Sequence, residues 1–445
     1  MANAALEIRG GTLIRGNGDA PLPNATIRVV DGRIAAVWSG SARPQDMEPA
    51  VSVYDATATT VMPGLIDAHC HISYGEARSA EEVDIYGGAE WNAVRAVWNA
   101  AKVLQAGVTG ICDCGSTWNT AVTVRDAIAN GMFPGPRVFA AGRHIVADGG
   151  FADYFPQWLG MPVSAEGTLC STADDMAREV RQQVKNRVDL VKVSGDSQAQ
   201  ESRMDVGPCF SDEELALIVK TAKRLGRKLT IHARYAETVL AAARTGFDWL
   251  IHASYMRPRD IGFVRDKRIP ICPTLTYTAN IVEWGREAGV DPNYVETKKR
   301  ELDALAEIHS RAHEAGIPLM AGSESGFSVT PYGQWHAREL ELMVKLLGLS
   351  PMEAIVAGTR TNAEVLGWGA ETGTLEAGRL ADILIVEGDP LADISVLGKP
   401  ERIQAVFKAG IPVAPPTEDG RPRRRMSHER GFHVSARILN RTEAF

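Results

Sequence analysis

The run Val61-Met-Pro-Gly-Leu-Ile-Asp-Ala-His-Cys-His71 is apolar and closes on two imidazoles one residue apart. Side chains of a strand alternate between faces, so His69 and His71 share one side, their Cα atoms about 7 Å apart at a rise of about 3.3 Å per residue. That separation suits two ligands of one metal ion. Further candidates follow along the chain: Lys192 in Val188-Asp-Leu-Val-Lys-Val-Ser194, then His232, His252, and Glu324 in Ala321-Gly-Ser-Glu-Ser325. Each lies in, or ends, a short apolar run. A single buried histidine is more often a hydrogen-bonded core residue. Four at matching ends, with a lysine and a carboxylate, point to a metal centre. Cys112 and Cys114 lack a second pair and do not read as a zinc site, and Cys70, Cys170, Cys209 and Cys272 sit in similar apolar surroundings, as reduced core thiols do.

The elements that must position these groups are short strands alternating with helical periods. Strands are expected near 61–71, 107–112, 136–141, 188–193, 228–233, 249–253, 269–275 and 317–322. Eight strands separated by helices predict an α/β fold, a (β/α)8 TIM barrel, in which chemistry gathers at the C-terminal strand ends. Ser211 with Glu214, and Ser350 with Glu353 behind Pro351, have the spacing of helix capping boxes. The first sixty residues alternate apolar and polar with turn signals, and the texture returns at 380–386 and 403–408. Both chain ends are therefore expected to build one small β-sandwich domain, 1–60 plus 372–415, around a catalytic barrel 61–371, with a C-terminal tail 416–445. The basic run Arg421-Pro-Arg-Arg-Arg425 in that tail reads as solvated or as an oligomer contact.

A chain of 445 residues with 45% apolar content can bury a large core. The net charge of -7, with both signs mixed along the chain, gives no footprint for nucleic acid. No run approaches 18 apolar residues and the N-terminus lacks a signal-peptide core, so the expectation is a cytoplasmic protein with no membrane partner, acting on a small molecule, and a homo-oligomer.

Pro63-Gly-Leu-Ile-Asp-Ala-His-Cys-His71, the lysine strand, the two later histidines and the return segment Gly373-Thr-Leu-Glu-Ala-Gly-Arg-Leu-Ala-Asp-Ile-Leu-Ile-Val386 resemble the amidohydrolase superfamily, and within it the imidazolonepropionase-like and prolidase-like hydrolases. The resemblance implies two divalent ions, commonly Zn2+ with Mn2+ or Co2+ as alternatives. His69 and His71 would hold the more buried ion and His232 and His252 the other. Lys192, carboxylated by carbon dioxide, would bridge them, and an activated water would attack the substrate carbonyl. Burial favours the neutral amine that carboxylation needs.

The family's strand-eight aspartate is Glu324 here, a carboxylate displaced by about one C–C bond length, about 1.5 Å, where acid–base geometry has little slack. It is read as the base, a metal ligand, or both. The family's Glu-His-Gly at strand six is Ile251-His252-Ala253, and its histidine after Gly-Gly is Phe151. His144 is the candidate to polarise the carbonyl in its stead, with an ordinary loop histidine as the alternative.

The expected reaction is hydrolysis of a C–N bond in a small, partly apolar or aromatic N-acyl amino acid, dipeptide, aryl amide, carbamate or urea. Candidate substrate contacts are Tyr74, Tyr154 and Trp158 in aromatic loops, Arg234 and Tyr235 after His232, and Tyr277 after strand seven. Arg234 could fork a carboxylate or be a surface cation. Trp91 and Trp98, seven apart on a helix, are expected to pack against the barrel. A mononuclear deaminase is the rival within the superfamily, but its glutamate three residues after the strand-five histidine is Tyr235 here. A silent structural barrel is the rival from outside catalysis.

Overall fold

Strands buried on both faces carry continuous apolar runs, and the runs between residues 65 and 272 form parallel strands of this kind. The computed structural model describes residues 5–40, 52–197, 207–414 and 439–441. The basic run at 421–425 and all of the expected tail but 439–441 lie outside the described residues. Leu65–Cys70, Val108–Asp113 and Arg137–Ala140 make one parallel sheet. Gly167–Leu169, His144–Val146, Leu190–Ser194, Lys228–Tyr235, Trp249–Tyr255 and Ile271–Cys272 make a second, in that spatial order. Single parallel bridges relate their edges: Ala141 to Leu190, Ile271 to Leu319 and Cys70 to Ser325. Helices follow the strands, which gives a TIM-barrel-like α/β fold. Both expected capping boxes are formed, on Asp212–Arg224 and Pro351–Val356, and a third caps Ala173–Lys185 through Thr172 and Asp175.

Four expectations change. The run 61–71 is two strands: Thr59–Pro63 pairs with Ile383–Glu387, and Leu65–Cys70 begins the barrel-like sheets. Gly64 makes the crossing, because a Cβ there would lie 2.3 Å from the Thr109 side chain. The strand expected at 269–275 is only Ile271–Cys272, between Pro270 and Pro273, which have no N–H for a ladder, and Leu275 already starts the helix Leu275–Trp284. The segment 317–322 forms no named strand. Pro318 removes a donor, leaving the Leu319 bridge and the bonds Met320 N to Ile271 O, 2.8 Å, and Ala68 N to Ala321 O, 2.9 Å. Trp91 and Trp98 are half exposed instead of packed inward; Lys102 stands over the Trp98 ring at 4.7 Å.

The two chain ends meet in one eight-stranded sheet, ordered Ile411–Pro412, Ile403–Lys408, Ile383–Glu387, Thr59–Pro63, Leu6–Leu13, Leu22–Val30, Arg33–Ser39, with Ser52–Asp55 beside Leu6–Leu13. Its apolar face is built from Ile8, Ile27, Ile383, Ile385 and Phe407. All six cysteines are free thiols, and all but the partly buried Cys209 are in the core.

Candidate metal centre

Ile66 and Ala68 face the same interior layer as Cys112, Leu190, Ile251, Cys272 and Met320. Between Asp67 and Cys70 the ladder to Val108–Asp113 slips. This bulge hands the interior face from Ile66 and Ala68 to His69 and His71. Asp67 turns the other way. Its Oδ1 accepts from the His69 and Ser323 amides at 3.0 Å each, and its Oδ2 lies 2.6 Å from His336 Nδ1.

Both imidazoles are fixed by their second nitrogen. His71 Nδ1 is 3.0 Å from the carbonyl of Gly115, which can only accept, so the proton is on Nδ1. His69 Nδ1 is 2.9 Å from Thr274 Oγ1, whose own hydrogen points to the Cys272 carbonyl at 3.4 Å. With the Thr274 hydroxyl donating to that carbonyl, both Nε2 atoms present lone pairs, and they stand 3.1 Å apart. Burial lowers the His71 pKa to about 3 and holds His69 well below its ordinary value, so no proton resolves the clash. A cation does, and a carboxylate oxygen of Glu324 joins the two nitrogens within 4.8 Å.

Glu324 sits in left-handed backbone, φ +56°, between the bond from its amide to His69 O, 2.6 Å, and the Thr330 hydroxyl on its own carbonyl, 2.7 Å. Burial pushes its carboxyl up to about 7, against the opposing charges of Arg234, Lys298 and Lys192. His252, Ala253 and Thr274 at the neighbouring strand ends also have positive φ. Strained backbone of this kind clusters at functional sites.

His232 and His252 form a second pair, their rings edge to face with centroids 4.6 Å apart, and His252 lies 5.5 Å from His69. His232 Nε2 is 3.4 Å from Asp196 Oδ2, and Phe151 stacks on its face at 4.0 Å. Lys192 is 1% exposed amid these groups, and burial lowers its pKa, against the pull of Cys114 and Glu324. His144 lies in the strand His144–Val146, not in a loop, with Nδ1 3.1 Å from Ser194 Oγ and its ring 6.2 Å from His71. Its Nε2 is buried without a partner, and a Cβ on Gly115 would fall 1.8 Å from that atom. The donor set of imidazoles and carboxylate suits a divalent ion such as zinc.

Residues 60–413 match the amidohydrolase family. The chain belongs to that family. This amidohydrolase is 28% identical over 427 residues to ochratoxinase of Aspergillus niger, across 91% of this chain and 85% of that protein. It is 24% identical to imidazolonepropionase of Thermoplasma volcanium, across 87% and 90%. A crystal structure of a Xaa-Pro dipeptidase with methionine in its active site superposes with a TM-score of 0.80 at 27% identity, across 92% of this chain and 99% of that one. The amidohydrolase is accordingly a hydrolytic enzyme of carbon–nitrogen bonds.

The candidate substrate contacts divide. Tyr74 stacks flat on His71 at 4.2 Å, and Tyr154 meets Phe151 edge on at 5.9 Å. Tyr277 is buried, its hydroxyl 3.4 Å from that of Tyr294. Arg234 is no loose surface cation. It pairs with Glu301 at 2.9 Å and lies 5.3 Å from the Phe151 ring. Tyr235 stacks on Tyr255, and Trp158 is 90% exposed, so neither is brought to the metal centre.

Sequence reading gave no role to Thr274, Asp196, Lys298 or Glu301. The last two lie on the amphipathic helix Pro292–Glu314, where a charge reads as solvated. Lys298 Nζ is 2.8 Å from Glu301 Oε2, both side chains buried. Burial raises the Glu301 carboxyl, but Arg234 and Lys298 outweigh it and bring it down to about 2.

Proposed function

We propose that this amidohydrolase cleaves the C–N bond of a small amide, carbamate or urea with an apolar or aromatic part. The reading rests first on two buried imidazole nitrogens 3.1 Å apart beside a carboxylate, a donor set that fits one divalent cation. His69, His71 and Glu324 would hold one ion and His232 and His252 a second. Lys192 would stand between them as a carbamate, formed when its neutral amine adds to carbon dioxide and loses a proton. Bound divalent ions supply Lewis acidity, which lowers the pKa of a water and polarises the scissile carbonyl.

The protein's own groups do the rest. Glu324, free of its proton at neutral pH once a cation is near, takes a proton from the attacking water and returns it to the leaving nitrogen. His144, its Nε2 without a hydrogen-bond partner, would donate to the carbonyl oxygen as charge gathers there. Tyr74 and Phe151 wall the mouth with aromatic faces, and Arg234 and Tyr277 line the side nearest the Pro292–Glu314 helix. The dipeptide class is favoured by likeness to the Xaa-Pro dipeptidase.

The test is a screen of N-acyl amino acids, dipeptides, anilides, carbamates and ureas with protein loaded with zinc, manganese or cobalt. Metal-dependent turnover of at least one class is expected. Absence of hydrolysis across every class with metal-replete protein would reject the proposal.

A further inference from the structure

Behind Tyr74 lie two buried carboxyls that the metal centre does not use. Glu166 lies in the loop just before the strand Gly167–Leu169, and its carbonyl accepts from the His144 amide at 2.6 Å. Asp84 ends the helix Ala80–Asp84, and its Oδ1 accepts from the Glu166 amide at 2.8 Å. Asp84 Oδ2 is fully buried with no partner. The Tyr74 hydroxyl faces Glu166 without closing a hydrogen bond of regular geometry, and Tyr154 faces the same carboxyl.

Among the described residues, neither carboxyl has an ion pair. Arg143, whose charge acts on Asp84, spends its N–H groups on the carbonyls of Ala165, at 2.8 Å, Pro162, at 3.2 Å, and Gly167. At Glu166 burial outweighs the two tyrosine hydroxyls and the charge of Lys192, and a buried carboxylate so left is costly unless a ligand completes it. The cluster borders the reaction centre, since Tyr74 stacks on His71 and Tyr154 packs on the Phe151 that covers His232.

We infer that Glu166, with the hydroxyls of Tyr74 and Tyr154 and with Asp84 behind, is a subsite for a cationic group of the substrate, a free amine carried by the amide that is cut. This rests on the amidase reading and narrows it, since unblocked aminoacyl amides are favoured over their N-acetylated forms. Burial raises the Glu166 carboxyl to about 6, so at pH 7 it is mostly ionised and matches an ammonium ion.

The experiment compares kcat/KM at pH 7 for an aminoacyl anilide with a free amine and for its N-acetyl counterpart, using the metal-replete full chain. The free amine is expected to be favoured tenfold or more, and Glu166→Gln to reduce that ratio at least tenfold. A ratio that Glu166→Gln moves less than threefold overturns the inference. Equilibrium binding of 2-phenylethylamine against 2-phenylethanol reads the subsite without turnover. Tighter amine binding that depends on Glu166 supports the subsite even if no anilide is cut, a result that would fail the amidase reading alone. Equal binding of the two probes overturns the subsite. Should thermal melts show that Glu166→Gln does not fold, Tyr154→Phe takes its place, with a threefold fall in either ratio expected and no change contradicting the inference.

Discussion

His69 and His71 are held for a cation by Thr274 and Gly115 on their Nδ1 atoms, and with both protons there the Nε2 lone pairs repel in the metal-free site. Glu324 adds a second term. Its carboxyl is pushed from 4.5 to about 7 by burial, so in metal-free protein folding takes up a proton between those values. Its contribution is intact below about pH 4.5 and is lost as the pH rises toward 7, roughly 3 kcal/mol at about 1.4 kcal/mol per pH unit. Chemical denaturation of chelated protein at pH 5 and pH 8 should show that loss together with those of Glu339 and Asp113, whose carboxyls burial also raises, and Glu324→Gln should remove its own share. In the metal-replete enzyme the same substitution should lower kcat by about 10²–10⁴, the range of a lost general acid–base. At this scale the sequence was highly legible for groups whose type is incongruous in an apolar run, such as Lys192 in Leu-Val-Lys-Val. It was silent for Thr274 and Glu166, because a threonine after a proline and a glutamate in a loop are ordinary in sequence and acquire a role only from what lies across the mouth.

Strands and helices place these side chains through their ends. The helix Leu275–Trp284 begins immediately after Thr274, which has left-handed backbone, φ +61°, and no capping side chain of its own. Glu339, fully buried, fills that need from another helix: its carboxylate accepts from the amides of Leu275, 2.9 Å, and Thr276, 2.8 Å, and from the Thr276 hydroxyl, 2.6 Å. It thus holds the strand end whose hydroxyl orients His69. Glu339→Ala should cost about 2–4 kcal/mol of stability, as buried donors lose a charged acceptor. It should also weaken metal binding by about tenfold or more, as loss of a ligand's supporting partner does. Calorimetric melts with metal titration check both, and a destabilised variant of undiminished metal affinity would separate the cap from the site. The alternation of strands with helices and the two capping boxes followed from period and cap residues, whereas the short strands His144–Val146 and Gly167–Leu169 did not. Strands seven and eight were overread because apolar content was weighed above Pro270, Pro273 and Pro318, and the bulge at Asp67 has no local signature.

The whole molecule joins its ends around Asp382. This buried side chain accepts from the Ala409 amide at 2.8 Å and the Thr372 hydroxyl at 3.0 Å, and Arg137 of the barrel-like part reaches it at 3.4 Å. Its carbonyl receives the Gly64 amide where the chain crosses from one sheet to the other. Asp382→Ala should lower stability by about 2–4 kcal/mol, since several buried donors lose their acceptor together. Denaturant unfolding checks the magnitude. The pairing of residues 6–63 with 383–412 was legible from matching alternation at both ends, whereas the junction itself depends on contacts between residues more than 200 apart in sequence.

The most direct test of the central claim is amide turnover followed as metal is removed and restored. Chelation should abolish hydrolysis, and re-addition should restore it in proportion to occupancy, saturating at about two ions per chain. Full turnover by protein from which all metal has been stripped would contradict the account.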